Sequence, residues 1–178
     1  MQRLTTRNGL ALPAIGLGTW PMTGTACTQA VRQALDVGYR HIDTATAYDN
    51  EAAVGQALRD SDVPREQIHL TTKVWWDRLE PKAMRQSLED SLRALGTEHV
   101  DLFHIHWPGQ DWDLARSIET LVALRDEGKA RHIGVAEGRG QMLANGANGD
   151  VKLLGGDEDG WTLGNAATVG GVTYSVYT

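Results

Sequence analysis

Short apolar segments typical of buried strands alternate with amphipathic helical segments along the first 135 residues, at intervals of about thirty residues. The helical segments carry their apolar residues on one face, as in Met84, Leu88, Leu92 and Leu95. Repeated strand–helix–strand units form a parallel sheet with helices outside it. The predicted strands are residues 14–20, 39–43, 68–74, 100–106 and 131–135, and the predicted helices are 25–37, 51–59, 81–95 and about 113–127.

Right-handed strand–helix–strand units build either a closed (β/α)8 barrel or an open doubly wound sheet. The open sheets that bind dinucleotides carry G-x-G-x-x-G directly before a helix, whereas Gly16-Leu17-Gly18-Thr19-Trp20-Pro21 lacks the third glycine. We therefore expect an α/β fold of the (β/α)8 TIM-barrel type with about five βα units present. A β-hairpin over residues 4–13, turning at Arg7-Asn8-Gly9, is expected to precede the first unit.

Polar side chains lie at or just past the ends of the predicted strands, where barrel enzymes place their chemistry. Asp43 ends one strand and Tyr48 follows it. Lys73 lies near the end of the next strand, and His106 ends the one after that. His104 shares a face with His106 because side chains alternate along a strand, and its deeper position makes it the weaker candidate.

Each of these residues also has a structural interpretation when it is taken singly. Asp43 could be a turn carboxylate, and Tyr48 could be a core residue with a hydrogen-bonded hydroxyl. Either histidine could be a hydrogen-bonded core group. Lys73 is harder to explain structurally, since a lysine inside a barrel requires a carboxylate partner.

Together the four residues have the composition of an acid catalyst for carbonyl chemistry. A phenol with its ordinary pKa of about 10 is a poor proton donor at neutral pH, and a neighbouring ammonium group strengthens it by stabilising the phenolate. Lys73 would provide the ammonium, kept charged by Asp43, beside the hydroxyl of Tyr48. A neutral imidazole of His106 would orient a carbonyl oxygen. Since no side chain donates hydride, a reduction would require a nicotinamide cofactor.

Charge and cysteine content narrow the classes of partner and compartment. A net charge of −6 without a basic run disfavours nucleic-acid binding. The N-terminus has no apolar signal core, no segment reaches the length of a membrane span, and Cys27 is the single cysteine. We expect a cytoplasmic protein with a small-molecule carbonyl substrate and no membrane partner. We expect no metal either, since Asp157, Glu158 and Asp159 do not match a calcium-binding loop.

Several long motifs closely resemble the aldo-keto reductase family and occur in the order typical of that family. They cover about residues 3–135 and are most similar to the bacterial 2,5-diketo-D-gluconate reductases of the family. The motifs are GLGTW at 16–20, GYRHIDTA at 38–45, YDNE at 48–51, TTKVW at 71–75 and DLFHIHWP at 101–108.

The resemblance implies a barrel capped at its N-terminal end by the hairpin. It also implies NADPH as cofactor and the reduction of aldehydes or ketones, diketo sugar acids among them, to alcohols. Tyr48 would be the general acid, Asp43 and Lys73 would tune it, and His106 would orient the carbonyl. The implied cofactor-binding residues are Thr19, Trp20 and Asp43, and the implied substrate-binding residues are Trp20, Trp75, His106 and Trp107.

The resemblance ends near residue 135. The family continues its fifth strand as Gly-Val-Ser-Asn, whose polar pair holds the nicotinamide amide, whereas this chain has Gly134-Val135-Ala136-Glu137. Because a full barrel needs about 250 residues, we interpret residues 1–135 as a truncated barrel. Residues 136–178 hold ten of the twenty glycines. We interpret them as a Gly-rich tail with short strands at 151–154, 160–163 and 172–177, or as disordered.

Two alternative functions remain open on the sequence alone. A chain without the last three βα units could be a catalytically inactive relative that keeps half of a site. Unclosed sheet edges and an exposed apolar interior also favour self-association, which would suit a scaffold protein.

Overall fold

The computed structural model describes residues 3–5, 11–107, 113–137, 140–144, 152–154, 163–169 and 172–177. Three 3₁₀ helices (Thr46–Tyr48, Arg65–Gln67 and Trp76–Arg78) accompany the longer elements. In chain order these elements are β1 (Arg3–Thr5), β2 (Ala11–Pro13), β3 (Leu17–Gly18), α1 (Gly24–Asp36), β4 (His41–Asp43), α2 (Glu51–Arg59), β5 (His69–Val74), α3 (Pro81–Leu95), β6 (Val100–Ile105), α4 (Leu114–Asp126), β7 (Ala130–Glu137), β8 (Gly140–Ala144), β9 (Lys152–Leu154), β10 (Leu163–Val169) and β11 (Val172–Tyr177).

Strands β3 to β7 are parallel, neighbour one another in chain order and are connected by α1 to α4. The predicted α/β fold with a parallel sheet is therefore confirmed. The register pairs Asp43 with Thr71 and Lys73 with His104. Because parallel strands end at the same edge of a sheet, the residues that follow β4, β5 and β6 lie close together.

The hydrophobic core lies between the sheet and the helices. Strands β5 and β6 are buried at every position, as is typical of central strands in a parallel sheet. Phe103 on β6, Leu88 on α3 and Leu121 on α4 are fully buried in this core. Each such side chain stabilises the fold by about 1.5–3 kcal/mol, so the strands that carry the polar residues are firmly held.

Helices α2 and α3 approach each other closely at Gly55. A Cβ atom at this position would lie 2.4 Å from the backbone oxygen of Ala94, so a larger residue would push the helices apart. Gly96 follows α3 with a φ of 68°, the left-handed conformation that glycine adopts at little cost. The first turns of α2 are thus fixed against the last turn of α3.

The first parallel strand differs from its predicted bounds. It was expected over residues 14–20, but β3 contains only Leu17 and Gly18, the two residues that pair with β4. The close backbone approach that its glycines suggest occurs at Gly16, where a Cβ atom would lie 2.7 Å from Nδ1 of His41. A side chain at this position would therefore clash with the ring of His41.

The predicted hairpin before the first unit is present as the antiparallel pair β1 and β2. Leu12 on β2 packs against Leu102 near the start of β6, which places the hairpin at the N-terminal end of the parallel strands. The turn predicted at Arg7-Asn8-Gly9 lies outside the described residues.

Antiparallel strands follow β7. Strand β8 pairs with β7 and β9 pairs with β8, while β10 and β11 form a hairpin that contacts α4. Strands were predicted close to β9 and β11, and Leu163, the one described residue of the third predicted strand, 160–163, begins β10. The rest of β10, up to Val169, was not predicted as a strand. Residues 160–162 lie outside the described residues. Gly164 and Asn165 are poor strand formers, and pairing with β11 overrides their local preference.

The boundary between barrel and tail at residue 135 stays a prediction. Strand β7 runs two residues past it, to Glu137, rather than ending at 135 as expected. Among the described residues, no helix is both long and apolar enough to cross a bilayer.

Candidate active site

The carboxyl ends of β4, β5 and β6 bring the predicted polar residues to one edge of the sheet. β4 ends at Asp43, and the 3₁₀ helix that carries Tyr48 comes shortly afterwards. Lys73 is the second-last residue of β5, and His106 directly follows β6. The hydroxyl of Thr46 donates to the backbone oxygen of Lys73 at 3.0 Å. This hydrogen bond ties the Tyr48 helix to β5.

The ammonium group of Lys73 is buried and fully supplied with acceptors. Its Nζ donates to Oδ1 of Asp43 at 2.5 Å, to the backbone oxygen of Thr44 at 2.9 Å and to the hydroxyl oxygen of Tyr48 at 3.4 Å. An ammonium has three protons to donate, so these acceptors account for all of them. The carboxylate and carbonyl explain how a lysine with 4 % exposure keeps its charge.

The hydroxyl of Tyr48 also lies 3.4 Å from Nε2 of His106. The two rings meet edge to face with their centroids 5.4 Å apart. Burial lowers the pKa of His106 to about 4, and the ammonium of Lys73 lowers it in the same direction. The imidazole is therefore neutral at pH 7, and one phenol hydroxyl lies between an ammonium and a neutral imidazole.

His104 occupies a different position from His106, although the two share a strand face. It is 1 % exposed, its Nδ1 contacts the backbone oxygen of Ile105 at 3.1 Å, and its Nε2 has no hydrogen-bond partner within the described part of the chain. Burial lowers its pKa to about 3, assisted by the ammonium of Lys73. His104 is thus a neutral core residue, while His106 contacts the Tyr48 hydroxyl.

Tryptophan side chains contact the rings of Tyr48 and His106 at this edge of the sheet. The ring of Trp20 lies 5.3 Å from that of Tyr48 and is 65 % exposed. Trp75 packs edge to face on His106 at 4.9 Å. Trp107 follows His106 and is 44 % exposed. The edge of the sheet therefore offers apolar, accessible surface beside a polar donor.

Thr19 and Asn50 hold the loop after β3 against the Tyr48 segment. The hydroxyl of Thr19, which is fully buried, donates to the backbone oxygen of Asp43 at 3.1 Å. The amide of Asn50 donates to the backbone oxygens of Thr19 and Met22 at 3.2 and 2.9 Å, and its oxygen accepts from Thr44 at 2.6 Å. The sequence prediction gave Asn50 no role. Its signal was the polar YDNE motif directly before a helix.

The geometry at this edge suits proton donation to an oxygen that gains negative charge. A phenol beside an ammonium can release its proton, and a neutral imidazole can hold the same oxygen by a hydrogen bond. The described side chains include no cluster of three His, Cys, Asp or Glu residues arranged as metal ligands.

Comparison with protein families gives a match to the aldo/keto reductase family over residues 14–141. The methylglyoxal reductase DkgB of Escherichia coli O157:H7 is 42 % identical over 129 residues, which are 71 % of this chain and 48 % of that protein. The 9,11-endoperoxide prostaglandin H2 reductase of Trypanosoma cruzi is 42 % identical over 134 residues, covering 75 % of this chain and 47 % of the relative. The chain thus spans about half the length of the curated relatives it matches.

Solved structures of similar proteins have the same fold over the matched part of this chain. A protein assigned as a 2,5-diketo-D-gluconic acid reductase B is 46 % identical with a TM-score of 0.73, over 76 % of this chain and 48 % of that one. A Bombyx mori aldo-keto reductase in complex with NADP is 31 % identical with a TM-score of 0.69, over 75 % of this chain and 50 % of that one. The sheet described above is therefore part of a (β/α)8 barrel, as predicted.

Proposed function

Since this chain belongs to the aldo/keto reductase family, we propose that it is an NADPH-dependent reductase that converts aldehydes or ketones into alcohols. The observation that carries this proposal is the hydroxyl of Tyr48, which lies 3.4 Å from both Nζ of Lys73 and Nε2 of His106. A carbonyl needs a proton on its oxygen when its carbon is reduced, and this hydroxyl is placed to provide one.

Each polar residue has a separate task in the proposed reaction. Tyr48 donates its proton to the carbonyl oxygen as the general acid. Lys73, held charged by Asp43, stabilises the phenolate that remains. His106, whose lowered pKa keeps the ring neutral, orients the carbonyl oxygen without adding a competing positive charge.

NADPH, when bound, supplies the hydride that no side chain of the protein can provide. The residues present fit its nicotinamide end, because Trp20 is exposed beside Tyr48 and the carboxylate of Asp43 is 23 % exposed at the same edge. We assign cofactor binding to Trp20, Asp43 and the Thr19 segment that Asn50 holds in place. Ala136 and Glu137, which replace the expected Ser-Asn pair, weaken the grip on the nicotinamide amide.

Small dicarbonyl compounds are the substrate class that we propose. Trp20 packs on Tyr48 and Trp75 packs on His106, and small carbonyl compounds can pack against such flat apolar surfaces. Trp107, which follows His106, is assigned to the same pocket. Similar proteins carry the names methylglyoxal reductase and 2,5-diketo-D-gluconic acid reductase. Methylglyoxal and diketo sugar acids are therefore the first compounds to assay.

Titration with NADPH, followed by tryptophan fluorescence, tests the cofactor assignment. We expect saturable quenching in the micromolar range, weaker in Trp20→Phe, and loss of binding when NADPH is replaced by reduced nicotinamide mononucleotide. An absence of quenching at millimolar NADPH would contradict the proposed function.

A catalytically inactive relative is the second candidate. It is favoured by Ala136-Glu137, which stand where the resemblance leads us to expect Ser-Asn. The same titration separates the two candidates, since an inactive relative of this kind binds no NADPH. The cytoplasmic location and self-association through the sheet edges remain predictions, the latter tested by sedimentation at high concentration.

A further inference from the structure

Glu51 is a carboxylate enclosed between two helices and a strand, and the proposed reaction gives it no role. It is the first residue of α2, three positions after Tyr48. A carboxylate is costly to bury unless its oxygens accept hydrogen bonds. Its two partners therefore indicate what the residue does.

The two carboxylate oxygens of Glu51 bind hydroxyl groups on different elements. Oε1 accepts from Oγ1 of Thr72 on β5 at 2.5 Å, and Oε2 accepts from Oγ of Ser91 on α3 at 3.0 Å. The contact with Ser91 lies one turn before Gly55, where α2 touches the backbone of Ala94. One carboxylate thus joins α2, β5 and α3.

Thr72 is the strand neighbour of Lys73, and the two side chains point to opposite faces of the sheet. Lys73 contacts Tyr48 on one face, while Thr72 contacts Glu51 on the other. The chain from Tyr48 to Glu51 therefore passes from one face of the sheet to the other at the C-terminal end of β5. The hydrogen bond from Thr46 to the backbone oxygen of Lys73 holds the start of this segment.

Burial raises the pKa of the Glu51 carboxyl above its ordinary value. The hydrogen bonds from Thr72 and Ser91 oppose this rise, Asp90 on α3 adds to it, and the ammonium of Lys73 opposes it. The two hydroxyls are therefore the partners that offset most of the cost of burying this carboxyl.

We propose that Glu51 is a positioning residue that sets the contact between Tyr48 and Lys73, and that it acts through its hydrogen bond to Thr72. The bond to Ser91 stabilises the fold but does not set this contact. The inference rests on the proposed function, because it assigns a purpose to the contact between the phenol and the ammonium.

Three single substitutions separate positioning from stability. Thr72→Val removes the hydroxyl that reaches Glu51 and keeps the shape of the side chain. Thr72→Ser keeps the hydroxyl and is the matched control on the same residue. Ser91→Ala removes the other hydrogen-bond partner of the Glu51 carboxylate. We expect it to lower stability by a similar amount while the hydrogen bond between Glu51 and Thr72 on β5 remains.

The readout is the nuclear Overhauser effect between the ε-methylene protons of Lys73 and the ring protons of Tyr48 in the full chain without ligand. The Nζ atom lies 4.9 Å from the ring centroid, so the signal is measurable and sensitive to displacement. We expect it to fall severalfold in Thr72→Val and to remain in Thr72→Ser and Ser91→Ala. With a reducible carbonyl, kcat of Thr72→Val falls about tenfold to a hundredfold at unchanged KM.

An unchanged signal in Thr72→Val, or an equal loss in Thr72→Val and Ser91→Ala, would overturn the proposal. If Thr72→Val does not fold, Glu51→Ala takes its place, because it removes the carboxylate that accepts from the hydroxyl of Thr72. A retained signal in Glu51→Ala would overturn the proposal equally. Since the signal needs neither NADPH nor turnover, a chain that reduces no carbonyl still tests this inference separately from the proposed function.

Discussion

Two buried ion pairs lie at opposite ends of the same parallel strands, and their surroundings differ. At the N-terminal end, Asp101 accepts from the backbone N–H of Leu70 at 3.0 Å, from Arg65 at 2.9 Å and from Arg131 at 3.0 Å. At the C-terminal end, Lys73 donates to Asp43, to Thr44 and to the hydroxyl of Tyr48. Both charged groups are almost fully buried.

The two charged groups differ in the kind of group that they contact. Within the described part of the chain, Asp101 hydrogen-bonds to two guanidinium groups and a backbone N–H. Each of these bonds connects one part of the fold to another. Lys73 donates one of its hydrogen bonds to the neutral hydroxyl of Tyr48. This hydroxyl also contacts His106 and lies beside the exposed ring of Trp20. The comparison agrees with the general pattern of barrels, in which the C-terminal face carries chemistry and the N-terminal face carries stability.

The effect on stability follows from the pKa of Asp101. Burial raises this pKa, but the hydrogen bond from Leu70 and the guanidinium of Arg65 outweigh burial and lower it below the ordinary value. A carboxyl with a lowered folded-state pKa stabilises the fold above its unfolded pKa of about 3.9. That contribution is lost as pH falls through the lower folded-state value.

Of the matched changes at the two ends, Lys73→Met at the C-terminal end has the larger predicted effect on turnover. Methionine keeps the bulk of the chain and removes the charge, so the Tyr48 phenolate loses its stabilising partner. We expect kcat/KM for methylglyoxal to fall about 10²–10⁴-fold, as measured by NADPH oxidation. Circular dichroism should still give a folded protein, since Asp43 is exposed enough to be solvated.

Asp101→Asn is the matched change at the N-terminal end, and it should have the opposite profile. The amide cannot accept from all three donors, so at least one buried donor loses its partner. We expect the free energy of unfolding to fall by about 1–3 kcal/mol in urea titrations, with kcat/KM unchanged. A large loss of turnover in a folded Asp101→Asn protein would contradict the assignment of stability to the N-terminal end and catalysis to the C-terminal end.

A smaller, pH-dependent effect is predicted for His104, which lies on β6 between Asp101 and His106. Its folded-state pKa of about 3 lies below the ordinary value of about 6.5. The unfolded chain therefore binds the proton first, and stability falls as pH decreases from about 6.5 towards 3. His104→Leu should reduce this loss, so that unfolding at pH 5 and pH 7.5 differs less than in the wild type.

His69 and His106 have lowered pKa values of about 3 and about 4, so part of the pH dependence will remain in His104→Leu. An unchanged difference between the two pH values would mean that the buried imidazole of His104 does not contribute. Equal kcat/KM values for His104→Leu and the wild type at pH 7.5 would support the interpretation of His104 as a core residue outside the candidate active site.

Much of the site could be predicted from the sequence because the end of a parallel strand is a local feature. Asp43, Lys73 and His106 each follow an apolar run, and parallel pairing brings their ends together without further information. The role of Glu51 could not be predicted this way. Its partners Thr72 and Ser91 lie 21 and 40 residues away, and no local pattern records which helix face meets which strand.

Strand bounds were predicted less well where pairing, rather than composition, decides them. Residues 14–20 have a strand-like composition, but β3 pairs with β4 at only two positions. In the tail, Leu163–Val169 contains residues that disfavour strands, and it becomes a strand because β11 pairs with it. The bounds of β3 depend on β4, which lies beyond a helix in the sequence, and those of β10 depend on its hairpin partner β11.

The most direct test of the proposed proton donor is a single labelled reduction. Wild type and Tyr48→Phe are each incubated with methylglyoxal and NADPH that carries deuterium at both C4 positions, and the alcohol is analysed by mass spectrometry. We predict one deuterium per alcohol formed by the wild type, and no alcohol above background from a folded Tyr48→Phe protein. Labelled alcohol in equal yield from both proteins would contradict the role of the Tyr48 hydroxyl.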